Sequence, residues 1–531
     1  MKSWSGFLRK RRAIIASFVL TCFSFITAEK ISEYSSPPSK EKDCDYLYPR
    51  GVSQTKPTTI LLKSDKPSLP LEQTGGFVND ASCLNKTAVY GVVKIATVED
   101  IRNALEFARD NHLKVAIAGQ RHSMGGQSLV EKGLILDLRP FNQIRLDKTA
   151  KIATVQSGAT WAQVQHLIDQ DGLAVQAMQS INVFTVGGAL SVNAHGIAHR
   201  PGPLASTVKS FRIMLSNGEI KTAAPNENPE LFRLALGGYG LFGVILDADI
   251  QLVDNEMYRL KTQYMSYRDF ARYYDNSIGE DDKFGLVYGR LSVSPSSYLT
   301  EAAIHTYEKT DFEGKLPALT PVAHDRLDRL IINFSKTGAF GRWVRWTLEK
   351  YAEPGLHTCL PRNQAMSEKE VCLVSRNQEM YDSMTYLRNR LNDTDILQEY
   401  FIPHTKTADF VDGLRTTIKR DGANLLNVTI RAVHKDTVTA LPYAKEDMFA
   451  FVLYFNQKFN DRESKILQTT TIDLIDLATS LNGTFYLPYQ LYYSKGQLRK
   501  SYPEIDTFFA AKKSYDPIGL FTNKFYEKYG N

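Results

Sequence analysis

Cysteine is scarce in this chain: five residues in 531, none in a CxxC spacing, which removes the common zinc and dithiol motifs. There is no internal repeat and no long low-complexity tract, so neither a solenoid nor a disordered chain is in prospect. Charge of one sign is also thin. Lys and Arg total 64 against 58 Asp and Glu, and the basic residues form no long run with interleaved aromatics, which argues against nucleic acid as a partner. Long apolar runs are missing except for one near the start, residues 13–28 (AIIASFVLTCFSFITA), which is shorter than the ~20 residues that span a bilayer. What remains is globular material in quantity. At 43% hydrophobic and 11% aromatic, a chain of this length has enough for two or more cores.

The apolar run follows Lys2, Arg9, Lys10, Arg11 and Arg12 and ends at Thr27-Ala28 before Glu29, the layout of an export signal with a small-residue cleavage point. The expectation is an exported protein (periplasmic, secreted or lumenal), with retention as a membrane anchor through residues 13–28 as the alternative. Removing the signal leaves Cys44, Cys83, Cys359 and Cys372, an even number that fits two disulfides. Of the three connectivities, Cys44 with Cys83 and Cys359 with Cys372 is the simplest; four reduced thiols is the other reading. Residues 29–78, rich in Ser, Pro, Thr and Lys, read as an irregular leader.

Residues 97–111 (TVEDIRNALEFARDN) carry Ile101, Leu105 and Ala108 at helical spacing, with Thr97 and Asp100 placed as a capping box. A short strand, residues 114–118 (KVAIA), leads into Gly119-Gln120-Arg121-His122-Ser123-Met124-Gly125-Gly126-Gln127. Glycine and small polar residues in such a loop let backbone N–H groups converge on a phosphate. A dinucleotide is the natural occupant, and the order helix, strand, glycine loop is not the Rossmann order, so NAD is disfavoured.

Two further blocks follow. One is residues 185–196 (TVGGALSVNAHG), with Val186, Gly187, Gly188, Ser191, Asn193, His195 and Gly196; the other is residues 237–245 (GGYGLFGVI), with Gly240, Gly243, Val244 and Ile245. Together with GQRHSMGG they resemble the PCMH-type FAD-binding family that includes vanillyl-alcohol oxidase, cytokinin dehydrogenase and the aldonolactone, alditol and decaprenylphosphoryl-ribose oxidases. The resemblance implies an α+β fold: an FAD-binding domain of two α+β subdomains over residues 79–255, a mixed-sheet substrate domain with helices on one face over 256–480, and a C-terminal segment, 481–531, returning to the FAD domain. It implies FAD as cofactor, with the residues just named as its contacts and either covalent attachment through His122 or, as in some members with related loops, noncovalent binding. Tyr502-Pro503, Lys512, Asp516-Pro517 and Phe521-Thr522-Asn523 are similar to the family's terminus, which adds Asn523 to the cofactor contacts.

There are departures. Arg121 stands where many members have glycine, so a positive φ there is costlier. No cysteine lies between Cys83 and Cys359, which excludes the doubly attached flavin of some relatives. Tyr489 stands where the decaprenylphosphoryl-ribose oxidases have a substrate-binding lysine.

In the substrate region, residues 284–291, 397–403, 425–433 and 448–455 read as strands, and 407–419 and 463–481 as helices. Glu399 (LQEYFIP) interrupts an apolar strand at a place where the resembled oxidases carry Glu or Gln. Arg431 (LLNVTIRAV) must find a partner there. With Tyr489 they form the expected catalytic set, against the bland readings of a solvent-facing glutamate and a buried ion pair. The expected function is oxidation of a CH–OH group on a small sugar-derived, lactone or lipid-linked alcohol, with oxygen or a quinone as electron acceptor. A sterol-reductase-like C=C reductase and a silent flavin-binding protein are the alternatives. Arg342, Trp343, Arg345, Trp346 and Lys350 would form a basic, aromatic stripe on a helix, suited to peripheral membrane contact, against the favoured plain reading of an ordinary partly packed helix.

Overall fold

The computed structural model describes residues 28–35, 69–312, 316–319, 325–351, 364–366, 372–380 and 393–530. The proposed export signal and the cysteines Cys44 and Cys359 lie outside the described residues. Helix α1 (Val98–Asp110) begins with the capping box: Thr97 Oγ1 accepts from Asp100 N, and the Asp100 carboxylate accepts from Thr97 N. The helix buries Ile101, Ala104, Leu105 and Ala108. They pack on a four-stranded sheet of β1 (Leu71–Thr74), β2 (Gly91–Lys94), β3 (Val115–Ala118) and β4 (Leu134–Asp137), in the order β1-β2-β4-β3. The leader is therefore not irregular throughout. Strand β1 completes this sheet by pairing with β2, and residues Ala28–Ser35 form a helix whose Tyr34 packs with Phe334 and Val344.

A second unit follows. It contains β5 (Ile144–Asp147), β6 (Ile152–Gln156), α2 (Trp161–Asp169), β7 (Leu173–Val175), α3 (Val186–Ser191), β8 (Val208–Met214), β9 (Ile220–Ala223), α4 (Pro229–Ala235) and β10 (Val244–Asp254). The sheet order is β9-β8-β10-β6-β5, with β7 on the far end of β10.

The third sheet has nine strands. In chain order they are β11 (Met257–Ser266), β12 (Phe284–Leu291), β13 (Glu301–Lys309), β14 (Gln364–Met366), β15 (Cys372–Ser375), β16 (Asp393–Pro403), β17 (Asn424–Val433), β18 (Met448–Lys458) and β19 (Thr484–Phe485). Their spatial order is β14-β15-β11-β13-β12-β17-β18-β16-β19, and every pair is antiparallel, which sharpens the α+β expectation.

The helices next along the chain are α5 (Tyr267–Ser277) and α6 (Asp325–Ser335). Helices lie on both faces of this sheet, not one. Gln398 and Glu399 are neighbours on β16 and so point to opposite faces. Gln398 Nε2 donates to Thr471 of α9 (Asp461–Ser480), and Tyr400 packs on Phe410 of α8 (Thr407–Asp421). On the Glu399 side the cross-strand row runs Glu399, Val452, Thr429, Arg290, and Arg290 pairs with Glu349 of α7 (Ala339–Tyr351) at 2.9 Å. The reason α7 sits there is in its own residues. Arg345 bonds Glu349 and Leu426 O, Trp346 Nε1 donates to Glu301 at 2.9 Å, Lys350 pairs with Glu301, and Arg342 donates to Asn424 Oδ1. The basic, aromatic stripe is thus turned into the protein and is not a lipid-facing surface; Trp343 is half-buried and stacks on Phe340.

The last helices, α10 (Ile505–Tyr515) and α11 (Lys524–Tyr529), flank a strand-like link to the first sheet. Val115 N donates to Leu520 O at 2.8 Å and Thr522 N to Val115 O at 2.9 Å, so Phe521 extends the edge at β3. Lys512 and Asp516, both fully buried, form an ion pair at 2.5 Å, and Asp516 also accepts from Leu520 N and Phe521 N.

Candidate active site

Strand β3 delivers the chain to Gly119, where a Cβ would stand 2.0 Å from Thr185 Oγ1. Only glycine lets this loop meet the start of α3 so closely. Arg121 adopts φ +52°, so the left-handed turn persists although the residue is not glycine. The loop is fastened from behind. Ala81 N donates to Arg121 O (2.9 Å), Asn85 Nδ2 to Met124 O (2.8 Å), Met124 N to Pro488 O (2.7 Å), Gln127 Nε2 to Leu487 O (2.7 Å) and Gly126 N to Asp80 Oδ2 (2.8 Å). Asp80 is wholly buried, and burial pushes its carboxyl above the usual range even though Ser82, Gly126 and Asn85 donate to it.

Between this loop, α3, the start of β10 and the Glu399 face of the third sheet lies an open-mouthed cavity. His122 lines it, with its ring 4.1 Å from that of Phe184. Neither ring nitrogen has a hydrogen-bond partner among the described residues, and burial lowers its pKa from 6.5 to about 3, so the imidazole is neutral at physiological pH. At the far end stand Glu399 on β16, Arg431 on β17 and Tyr489. Tyr489 OH donates to Glu399 Oε2 at 3.2 Å, and His195 Nε2 lies 2.6 Å from Glu399 Oε1. That second approach is close but off the axis of a well-aligned hydrogen bond. Burial pushes the Glu399 carboxyl up, yet His195, Arg431 and Tyr489 together hold it below the ordinary range. Arg431 Nε is buried without a hydrogen-bond partner among the described residues.

Comparison with known proteins decides what the glycine-walled end holds. Residues 89–224 match the family described as FAD binding domain. This part of the chain is an FAD-binding domain. Cytokinin dehydrogenase 2 of Arabidopsis thaliana is 34% identical over 220 residues, 39% of this chain and 44% of that protein. D-arabinono-1,4-lactone oxidase of Yarrowia lipolytica is 27% identical over 194 residues, 34% of this chain and 35% of the oxidase. L-gulonolactone oxidase of Bos taurus is 20% identical over 439 residues, 81% of this chain and 93% of that protein. The chain thus spans less than half the length of the first two relatives.

The residues present fit FAD. The cradle has room only because side chains are missing, as a Cβ on Gly187 would also stand 2.6 Å from Ser157 Cβ, and the orphaned His122 nitrogens face the same space. Of the residues expected to touch the cofactor, Gly119, Gln120, Arg121, His122, Ser123, Gln127, Gly187, Gly188, Ser191, His195, Gly240, Gly243 and Ile245 line the cavity, as do Glu399, Arg431 and Tyr489. The rest are not among the residues that line it. Met124, Val186 and Val244 point into the core. Gly125 and Gly126 use their N–H groups on Gln127 and Asp80, and Gly196 is pressed against Met178 O. Asn193 bonds Asp436 and Ala205 N; Asn523 donates to Tyr239 O and caps α11. The sequence reading missed Phe184, Gln179, Ser180 and Tyr486 as lining residues. Phe184 was one position from the second block, but an aromatic before a glycine turn carries no signal of its direction.

Proposed function

We propose that this chain is an exported FAD-dependent oxidoreductase that oxidises a CH–OH group of a sugar-derived or lactone substrate. The carrying observation is the far end of the cavity, where an ionised, buried Glu399 stands beside an arginine whose Nε is unpartnered. The flavin, when bound, supplies the hydride acceptor for the substrate C–H. Glu399 takes the hydroxyl proton, Arg431 holds a substrate oxygen, and Tyr489 OH fixes the carboxylate. Leu397, Val452 and Tyr486 wall this end and exclude water. His122, neutral and without a partner for either nitrogen, is the attachment point for the flavin ring. The electron acceptor that would reoxidise a bound flavin is oxygen or a quinone.

L-gulonolactone oxidase is matched over far more of the chain than cytokinin dehydrogenase 2, which favours an alcohol over an amine donor. The inward-turned stripe on α7 removes the support for a lipid-linked substrate. Export is supported by Cys83, which is disulfide-bonded, and by the basic and apolar layout of residues 2–28. Anaerobic mixing of the yellow protein with a panel of polyols, aldonolactones, amines and sterols tests the reading. Bleaching of the flavin by an alcohol or lactone, lost by ~10²–10⁴-fold in Glu399→Gln, is the expected result. Bleaching by sterols or amines alone would overturn it.

A further inference from the structure

His195 follows α3 in a box of aromatic rings: Phe401 at 5.4 Å, Tyr443 at 5.7 Å and Tyr486 at 5.9 Å between centroids. The residue is 6% exposed and Glu399 3%. Within this box the imidazole has one close polar neighbour among the described residues, Glu399 Oε1 at 2.6 Å, and its Nδ1 has none. Burying a polar ring for a single contact is costly unless that contact matters. The carboxylate is as dependent on the ring as the ring is on it. Among the described residues its other oxygen is bonded only by Tyr489 OH, and Arg431 acts on it through space without a hydrogen bond. The remaining titratable groups around it are the hydroxyls of Tyr443, Tyr486 and Tyr502, which burial pushes well above their ordinary range, so they bring no charge.

Resting on the oxidation proposed above, we infer that His195 is the positioning residue that holds the Glu399 carboxylate ready to take the proton from the substrate. The substrate O–H breaks and its proton passes to the Glu399 carboxylate, the O–H electron pair becomes the new C=O bond, and the C–H breaks with its hydride leaving to the oxidised flavin. One negative charge thereby enters the cavity with the hydride. The proton retained on Glu399 offsets it, so the buried site changes no net charge during the step.

The test uses full-length, flavin-loaded His195→Phe, which fits the aromatic box, and His195→Gln, which keeps a donor. Glu399→Gln is the reference. Two readings are made: the pH profile of kcat/KM with L-gulonolactone as donor, and the infrared carboxylic-acid C=O band of substrate-free protein at neutral pH. The acid limb is expected to move up by ~1 pH unit or more in both His195 variants. In the difference spectrum against wild type, which cancels buried carboxyls such as Asp80, a new band is expected in His195→Phe and is expected to vanish when Glu399→Gln is added. An unmoved limb with a uniformly lower rate, and no new band, reduces His195 to loop packing and overturns the inference. If His195→Phe does not accumulate as folded yellow protein, His195→Gln gives the same two readings. Should L-gulonolactone not be oxidised, the band alone decides. Failure of the underlying reading looks different: Glu399→Gln would then be reduced by its donor as fast as wild type.

Discussion

Replacing Gly119 by alanine puts one methyl group where the cofactor loop meets α3. The added carbon would stand 2.0 Å from Thr185 Oγ1 and 2.9 Å from Thr185 Cβ and Cγ2, whereas ordinary contact begins at 3.4 Å. Loop and helix start must therefore part by about 1.4 Å. Thr185 cannot simply step aside. Its oxygen accepts from Gly188 N at the helix start, and its backbone pairs with Thr160. Overpacking of this kind costs roughly 1–3 kcal/mol, which is about a fivefold to 150-fold loss if it falls on FAD binding. The assay is the flavin-to-polypeptide absorbance ratio after purification with limiting FAD, read beside Tm. Gly119→Ala should lose flavin and melt lower by ~2–4 °C per kcal/mol. Gly172→Ala is the control: φ there is +67°, with nothing within 4 Å of a new Cβ, so it carries backbone strain without crowding and should lower Tm while keeping its flavin. A Gly119→Ala protein equal to wild type in both readings, or a Gly172→Ala protein that sheds as much flavin, refutes the cradle argument.

If His122 is bonded to the flavin, acid precipitation will carry the yellow colour into the pellet, and His122→Ala will release it to the supernatant; colour released from both shows a noncovalent cradle. In flavin-free protein the depressed His122 pKa makes stability greatest above pH 6.5 and progressively lost as pH falls toward about 3. Urea melts at several pH values should show this slope, and His122→Gln should flatten it; an equal slope in both proteins removes His122 as its source. Arg431→Met should raise KM for an alcohol donor by roughly tenfold or more, as loss of a charged hydrogen bond to substrate would, and an unchanged KM detaches Arg431 from substrate oxygen. Nonreducing peptide mapping should find Cys359 joined to Cys372, and both as free thiols would count against export.

The three glycine blocks were readable because each fixes a backbone path that few other residues permit, and that path is what brings Gly119, Gly187 and Gly243 to one cavity. Glu399 and Arg431 were readable because a charge on an apolar strand must be answered by something. What the pattern could not carry was direction. Asn193, Met124 and Asn523 lie in the same motifs as true lining residues, but their side chains turn back to Asp436, the core and Tyr239. The α7 stripe failed for the same reason. Spacing put Arg345 and Trp346 on one helix face, and only Glu349 and Glu301, the latter distant in sequence, show that this face looks inward. The antiparallel register of the large sheet likewise depends on strands more than a hundred residues apart, which local periodicity does not record.

The cofactor loop is held from two directions in time as well as in space. Its base strand and its glycines emerge early from the ribosome, whereas Leu487 and Pro488, which bond Gln127 and Met124, and Phe521, which closes the edge at Val115, come after the whole nine-stranded sheet. A nascent chain that has made its first two sheets still has an unclosed cradle. Productive cofactor loading is therefore placed after synthesis of the substrate-side sheet, and a chain cut short before residue 487 would keep every glycine motif yet lack the bonds that hold the loop in place.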